Sequence, residues 1–237
     1  MTISASAAPS SKRAFTGISE WIFDLDNTLY PRRCNLFAQV DLRITDYVMD
    51  VTRLDREAAR QLQKEYYREY GTTLNGLMQR HAIDPEHFLS TVHDIDYSPV
   101  EAHPGLVAAI RALPGRKFVL TNGSVSHAKA VLKRLGGEDL FEVIHDVKAM
   151  GYRPKPYRTA YEGLIASQGI DPAGAVMFDD LDKNLLVPHE LGMTTVHVLA
   201  DENFAHEQVE AWELVRAEAP HIHHRTDDLA GFLRALV

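Results

Sequence analysis

The chain has 237 residues, 45% of them hydrophobic and 24% charged, with a formal net charge of −8. That supports one core domain with a modest insertion, and the acidic balance argues against a nucleic-acid polymer as partner. No apolar run approaches the ~18 residues of a membrane span, and Cys34, the sole cysteine, allows no intrachain disulfide and fits a reducing, cytoplasmic setting.

The Ser- and Ala-rich start lacks the apolar centre of a signal peptide and reads as a flexible tail over residues 1–18. The first element is the apolar run Trp21-Ile22-Phe23, a short buried strand leading into Asp24-Leu25-Asp26-Asn27-Thr28. Side chains at such a strand end face a cleft rather than the core. Two carboxylates brought together there repel each other unless a cation or a shared proton relieves them. Asp and Asn are also ordinary turn residues. The pair nevertheless suits a nucleophile and an acid/base partner beside a divalent metal.

After Tyr30-Pro31 the pattern becomes helical for about seventy residues. Leu36, Phe37, Val40, Ile44, Tyr47, Val48 and Val51 recur at helical spacing, and Asp55 can cap a second helix to Tyr70, stopped by Gly71. Thr72 to His81 reads as a third helix, and Asp84-Pro85-Glu86 opens a fourth through Val92. This block, residues 33–102, is expected to form a small helical cap inserted after the first strand of a core made of 19–32 and 103–237. Alternation then resumes. A helix from His103-Pro104-Gly105 to Leu113 precedes the strand Lys117–Leu120, and the helix Ser124–Leu135 is closed by Gly136-Gly137. A strand over Phe141–Ile144, a helix over Pro156–Gln168 and strands over Ala175–Phe178 and Thr194–Leu199 follow. Helices near Ala205–Ala217 and Asp228–Leu236 complete the chain. Short apolar strands alternating with helices predict an α/β fold, a Rossmann-like parallel sheet covered on both faces.

In open parallel sheets, ligands bind beyond the carboxyl ends of the strands. Three expected strands end in reactive residues: Asp24 to Asp26, Thr121-Asn122-Gly123 and Asp179-Asp180. Thr121 offers a hydroxyl, and the amides of Asn122 and Gly123 open toward a helix start, which favours an anion. Lys155, held between Pro154 and Pro156, reads either as a solvated loop lysine or as a fixed ammonium screening a phosphate. Two acidic pairs facing each other without a cation would be strongly destabilising. Mg²⁺ fits such oxygen ligands better than zinc, since no Cys/His set accompanies them. His221, His223 and His224 cluster near the end, and their alternation resembles one face of a short strand. A metal there is the weaker reading of that cluster.

The ordered set Asp24-x-Asp26-x-Thr28, Thr121, Lys155 and Asp179-Asp180 resembles the haloacid dehalogenase superfamily of phosphohydrolases over roughly residues 19–230. The helical insertion matches that superfamily's cap. Asp24 to Pro31, Tyr70 to Leu77, and Phe178-Asp179-Asp180 with Asn184 further resemble its pyrimidine 5′-nucleotidase branch. The resemblance implies that Asp24 attacks phosphorus to form an aspartyl-phosphate. It implies that Asp26 protonates the leaving alcohol and later activates water. Mg²⁺ would be held by Asp24, the Asp26 carbonyl and Asp180, with Asp179 direct or through water. Thr121 and the Asn122 amide would hold phosphate oxygens whose charge Lys155 offsets. Leu181 and Asp182 depart from the small hydroxyl residue frequent after the acidic pair; Asp182 is then an outer-shell group or a helix-start carboxylate.

In the cap, Thr72 and Thr73, with Tyr70 or Asn75, would meet the leaving group when the lid closes, or else cap a helix. Tyr30 and Arg33 would line the entrance. The expected activity is a Mg²⁺-dependent phosphatase of a small phosphorylated metabolite, first a pyrimidine nucleoside 5′-monophosphate such as UMP or CMP. Sugar phosphates or phosphoglycolate are the alternative substrates, and a phosphate-binding module without turnover is the alternative class. A monomer or homodimer, without membrane association, is expected.

Overall fold

A computed structural model describes residues 15–200 and 219–237. The expected helix near Ala205–Ala217 and most of the expected N-terminal tail lie outside these residues. The end of that tail needs correction, because Phe15 and Ile18 are buried in the core. Phe15 stacks on Trp21 at 6.2 Å and meets Phe232 edge-on at 5.7 Å.

Among the described residues, six strands form one parallel sheet in the order β3-β2-β1-β4-β5-β6. They are β1 (Glu20–Phe23), β2 (Arg116–Leu120), β3 (Val143–His145), β4 (Ala175–Asp179), β5 (Thr194–Val198) and β6 (His224–Thr226). The chain builds outward from β1 to β3, then returns to the other side of β1 to lay down β4. This places the topological switch between β1 and β4, where open α/β sheets bind their ligands. Period-two alternation splits the strand residues between two cores. Phe23, Val119, Val176, Phe178 and Val196 face one, and Ile22, Phe118, Leu120 and Met177 face the other. Phe23 and Phe178, paired in register, stack at 4.6 Å and lock the two strands that flank the switch.

Between β1 and β2 lie α1 (Leu36–Thr52), α2 (Arg56–Tyr70), α3 (Thr73–His81) and α4 (Pro85–Val92), followed by α5 (Pro104–Ala112). Their starts follow from local chemistry. Asp55, Thr72 and Asp84 each accept a hydrogen bond from a first-turn N–H, and Pro85 occupies the first turn of α4. Gly71 ends α2 in the left-handed region at φ 80°. The four helices share a core of their own that includes Val40, Val48, Ala59, Leu77 and Phe88. The other described helices are α6 (Val125–Leu135), α7 (Arg158–Gln168), α8 (Leu186–Glu190) and α9 (Leu229–Arg234).

Several boundaries move. β3 starts two residues later than expected, at Val143, and Phe141 just before it meets Phe23 edge-on at 5.8 Å. α8 and the 3₁₀ turn at Asp182–Leu185 before it were not expected, and the short strand read at His221 and His223 lies later, as β6 from His224. Those two histidines instead brace the sheet edge. His223 Nδ1 accepts from the Thr195 amide, and His221 Nε2 meets the Asp182 carbonyl. No described helix is long and apolar enough to cross a membrane.

Candidate active site

The carboxyl ends of β1, β2 and β4 open into one cavity of about 200 Å³, whose far side is formed by α1 to α4. Asp24, Asp26, Thr121, Asn122, Lys155 and Asp180 line its floor, while Thr72 and Thr73 belong to its roof. Asp179 lies beneath the floor, fully buried. Residues from Asp24 to Asp180 thus gather around one space, although they are spread over more than 150 positions, whereas Tyr30, Arg33, Tyr70, Asn75 and Asp182 do not line it.

At the bottom, Lys155 Nζ donates to Asp24 Oδ1 and Asp179 Oδ2, both at 2.7 Å. This ammonium is buried, so desolvation works against its charge, but the two carboxylates outweigh that and raise its pKa. A solvated loop lysine is therefore excluded. Asn122 sets the height of this group. Its side chain accepts from the Lys155 amide at 2.8 Å and donates to the Lys155 carbonyl at 3.0 Å. The residue was expected to act through its main chain; its side chain clasps the lysine loop.

Asp179 uses both oxygens. Lys155 occupies Oδ2, while the Leu181 amide and Asn184 Nδ2 each donate to Oδ1 at 2.9 Å. Asp180 pairs instead with Arg32 at 2.8 Å, both side chains being nearly buried. Burial, then repulsion from Asp179, lifts Asp180 to about 7 despite Arg32. Asp24 is likewise raised well above the usual carboxylate range by burial, with Lys155 opposing and Asp179 and Asp180 adding to the rise. One oxygen from each of Asp24, Asp179 and Asp180 lies within 4.8 Å of the others. Three carboxylates thus meet two cationic side chains, which leaves excess negative charge in a desolvated spot. The excess and the all-oxygen donor set fit a hard divalent cation such as Mg²⁺. Asp182, at the start of the 3₁₀ turn, is not part of this group.

Asp26 has a different environment. Tyr30 Oη donates to its Oδ1 at 2.5 Å, and His127 Nε2 meets the same oxygen at 2.7 Å. Burial would raise this carboxyl, but His127 and Tyr30 together hold it at about 2. Two acids two residues apart are therefore pushed in opposite directions in the free protein. Asn27 at φ 60° allows the sharp turn between them and the rest of the loop. Tyr30, expected at the entrance, is buried, with its hydroxyl committed to Asp26.

Thr121 is fully buried, and its Oγ1 accepts from the Gly123 amide at 3.0 Å. A methyl group built on Gly123 would approach His127 Cδ2 to 3.2 Å, Thr121 Oγ1 to 3.4 Å and Asp26 Oδ2 to 3.7 Å. Only glycine leaves that space open. On the roof, the Thr72 hydroxyl accepts from the Asn75 amide, and the Thr73 hydroxyl donates to the Gln63 carbonyl. Both threonines form cavity wall while their hydroxyls serve the cap's own structure. The rest of the roof is largely apolar, with Phe37, Val40, Ile44, Leu74 and Phe88 facing polar Gln63, Lys64 and Tyr67.

Sequence reasoning missed His127, Arg32 and the Asn122 side chain. A signal for His127 existed: Ser124 caps α6, and the residue three positions on falls in the first turn after the Thr121–Gly123 loop. Arg32 follows the acidic loop in a 3₁₀ turn, with no local pattern pointing to position 180.

A model of the haloacid dehalogenase-like hydrolases matches residues 21–186. The chain is 25% identical over 207 residues to phosphate metabolism protein 8 of Saccharomyces cerevisiae, covering 80% of this chain and 64% of that protein. It thus spans under two thirds of the length of that curated relative. The fold is similar to CbbY from Rhodobacter sphaeroides in complex with phosphate (TM-score 0.61, 18% identity, 92% of this chain and 99% of that one). A HAD phosphatase from Thermococcus onnurineus (TM-score 0.58, 16% identity, 92% and 98%) is also similar in fold. So is an L-2-haloacid dehalogenase from Xanthobacter autotrophicus (TM-score 0.56, 18% identity, 92% and 97%). With the family match extending over most of its length, the chain belongs to the haloacid dehalogenase-like hydrolases.

Proposed function

We propose that this hydrolase is a Mg²⁺-dependent phosphomonoesterase working through an aspartyl-phosphate, with pyrimidine nucleoside 5′-monophosphates as its first substrate class. The observation that carries the reading is the Lys155 ammonium bridging Asp24 and Asp179 at the floor of a cavity that Asp26 also lines. A buried cation against the nucleophile's own carboxylate suits an anionic electrophile, because it lets two negative groups approach.

In this reading Asp24 forms a bond to phosphorus as the ester P–O bond breaks. Asp26, ionised in the free protein, takes up a proton as the negative phosphoryl group arrives beside it and passes that proton to the departing alcohol oxygen. Water then attacks the phosphoryl group, Asp26 takes its proton, and inorganic phosphate leaves with Asp24 restored. Thr121 Oγ1 and the Asn122 amide would hold the phosphoryl oxygens, and Lys155 and Arg32 would offset their charge. Arg32 Nε is a buried donor with no partner among the described residues, so a further acceptor can be met there. Mg²⁺ would be held by Asp24, Asp180 and the Asp26 carbonyl, with Asp179 braced behind them; bound there, it would withdraw charge from the phosphoryl group. Uncatalysed monoester hydrolysis is so slow that enhancements up to ~10²¹ are known, and positioned charge supplies most of such gains.

The roof supports the substrate class. A planar apolar ring suits the faces of Phe37, Ile44 and Leu74, and polar edges suit Lys64 and Tyr67. Thr72 and Thr73 contribute wall beside the leaving group. The yeast relative's name, phosphate metabolism protein 8, and the phosphate complex of CbbY accord with phosphate chemistry. The test is phosphate release from UMP, CMP, AMP, a sugar phosphate and phosphoglycolate, each with Mg²⁺ and with EDTA. UMP or CMP should give the highest kcat/KM, and EDTA should abolish release. Higher kcat/KM on phosphoglycolate would move the substrate class, and no release from any ester would end the phosphatase reading.

A further inference from the structure

We infer that His127 is a positioning residue for the proton-transfer step, clamping Asp26 together with Tyr30 so that one carboxylate oxygen is held and the other faces the ester. This inference rests on the phosphatase reading above.

An Asp side chain rotates broadly about its last torsion, whereas a general acid must come within about 2.6–3.2 Å of the oxygen it protonates. Here Oδ1 takes contacts from two elements at once, Tyr30 Oη at 2.5 Å from the turn after β1 and His127 Nε2 at 2.7 Å from α6. Two contacts on one oxygen leave the carboxylate a single orientation. Oδ2 then lies toward the Thr121–Gly123 loop, 3.7 Å from where a Gly123 methyl would sit. The free oxygen and the phosphate-binding loop share the same open space.

His127 is itself fixed on every side. Its ring is almost fully buried. Nδ1 lies 3.0 Å from Tyr97 Oη, which also donates to the His93 carbonyl at 3.0 Å. The Tyr97 hydroxyl gives its one hydrogen to the His93 carbonyl and presents its oxygen to Nδ1, while Nε2 faces Asp26 Oδ1, so both ring nitrogens are held. The ring stacks on His93 at 4.4 Å and 17°. His93 Nδ1 meets Ser124 Oγ at 3.0 Å, and that hydroxyl accepts from the His127 amide at 3.3 Å. Ser124, His93, Tyr97 and His127 therefore form a closed frame. A histidine serving packing alone has no need to place a ring nitrogen on the acid beside the nucleophile. Displacement of that acid by about 1 Å would cost on the order of 10²-fold in rate.

The experiment compares two esters in the Mg²⁺-loaded enzyme by rapid-quench measurement of the first turnover. p-Nitrophenyl phosphate releases an anion that needs no proton, whereas an alkyl phosphate, the fastest of UMP, CMP and phosphoglycolate, does. In His127→Ala and Tyr30→Phe, alkyl release should fall roughly tenfold to a hundredfold with KM nearly unchanged, while p-nitrophenol release falls less than about threefold. His127→Gln, whose amide can take the place of Nε2, should recover most of the loss. If His127→Ala does not fold, Tyr30→Phe, which keeps the buried ring, and His127→Gln still decide. Equal losses on both esters in these variants would overturn the role of His127 while leaving the phosphatase reading in place. Wild-type enzyme that turns over neither ester would overturn both.

Discussion

The floor and the roof of the cavity are built by opposite means. On the floor, polar groups from three strand ends and two loops saturate one another, and few atoms remain free. On the roof, side chains from four helices contribute mainly apolar surface, and the threonine hydroxyls are turned to helix caps and main chain. A saturated network fixes positions and cannot adapt. An apolar wall tolerates exchange. The reaction should therefore reside in the floor and the choice of leaving group in the roof, so floor substitutions should lower kcat on every ester while roof substitutions reorder substrates.

The sharpest way to break this division is at Asp24. Asp24→Asn should lower kcat by roughly 10⁴-fold or more on all esters, because the covalent route is lost. Circular dichroism and melting should show a folded protein. Turnover close to wild type would remove Asp24 from the nucleophile's place. Next in size is Lys155→Ala, expected to lower kcat ~10²–10³-fold. It leaves two buried carboxylates without their ammonium, at a stability cost of about 3–5 kcal/mol. Its melting temperature should fall most in EDTA and partly recover in Mg²⁺, since a ligand bound only by the native state stabilises it. An effect below about threefold on kcat would place Lys155 outside the chemistry.

Asn122→Ala sharpens the comparison within the floor. It removes the side-chain clasp on the Lys155 main chain and should cost roughly tenfold in kcat through misplacement. Unchanged kinetics would mean that the two flanking prolines suffice. The smallest effect belongs to the roof. Phe37 is partly exposed and lines the cavity. Phe37→Ala should raise KM for a nucleotide by roughly threefold to tenfold while leaving phosphoglycolate nearly untouched. A loss in kcat shared by both substrates would erase the proposed division.

The same contrast explains how much could be read from the chain before its fold was known. The floor was legible because its residues sit next to strand ends: Asp24 after Phe23, Thr121 after Leu120, Asp179 at the end of β4. Once a parallel sheet is inferred, topology alone brings these ends together. Lys155 was legible through its two prolines. His127 and Arg32 were not, because each reaches its carboxylate from a distance of 101 or 148 residues. β6, with His224, Arg225 and Thr226, lacks the apolar run that marks a central strand, as an edge position allows. The roof was least legible. Its lining comes from scattered positions on α1 to α4, and the same apolar residues serve the cap's own packing. Val40, Leu74 and Phe88 carry no mark in the sequence that separates wall from core.

The most direct measurement is mass spectrometry of acid-quenched enzyme after brief reaction with p-nitrophenyl phosphate and Mg²⁺, using wild type and Asp26→Asn. The Asp24 peptide should carry a phosphoryl increment, more of it in Asp26→Asn because breakdown is slowed, and none in Asp24→Asn. Phosphate release with the Asp24 peptide unmodified in both proteins, or with the increment on another residue, would contradict the account.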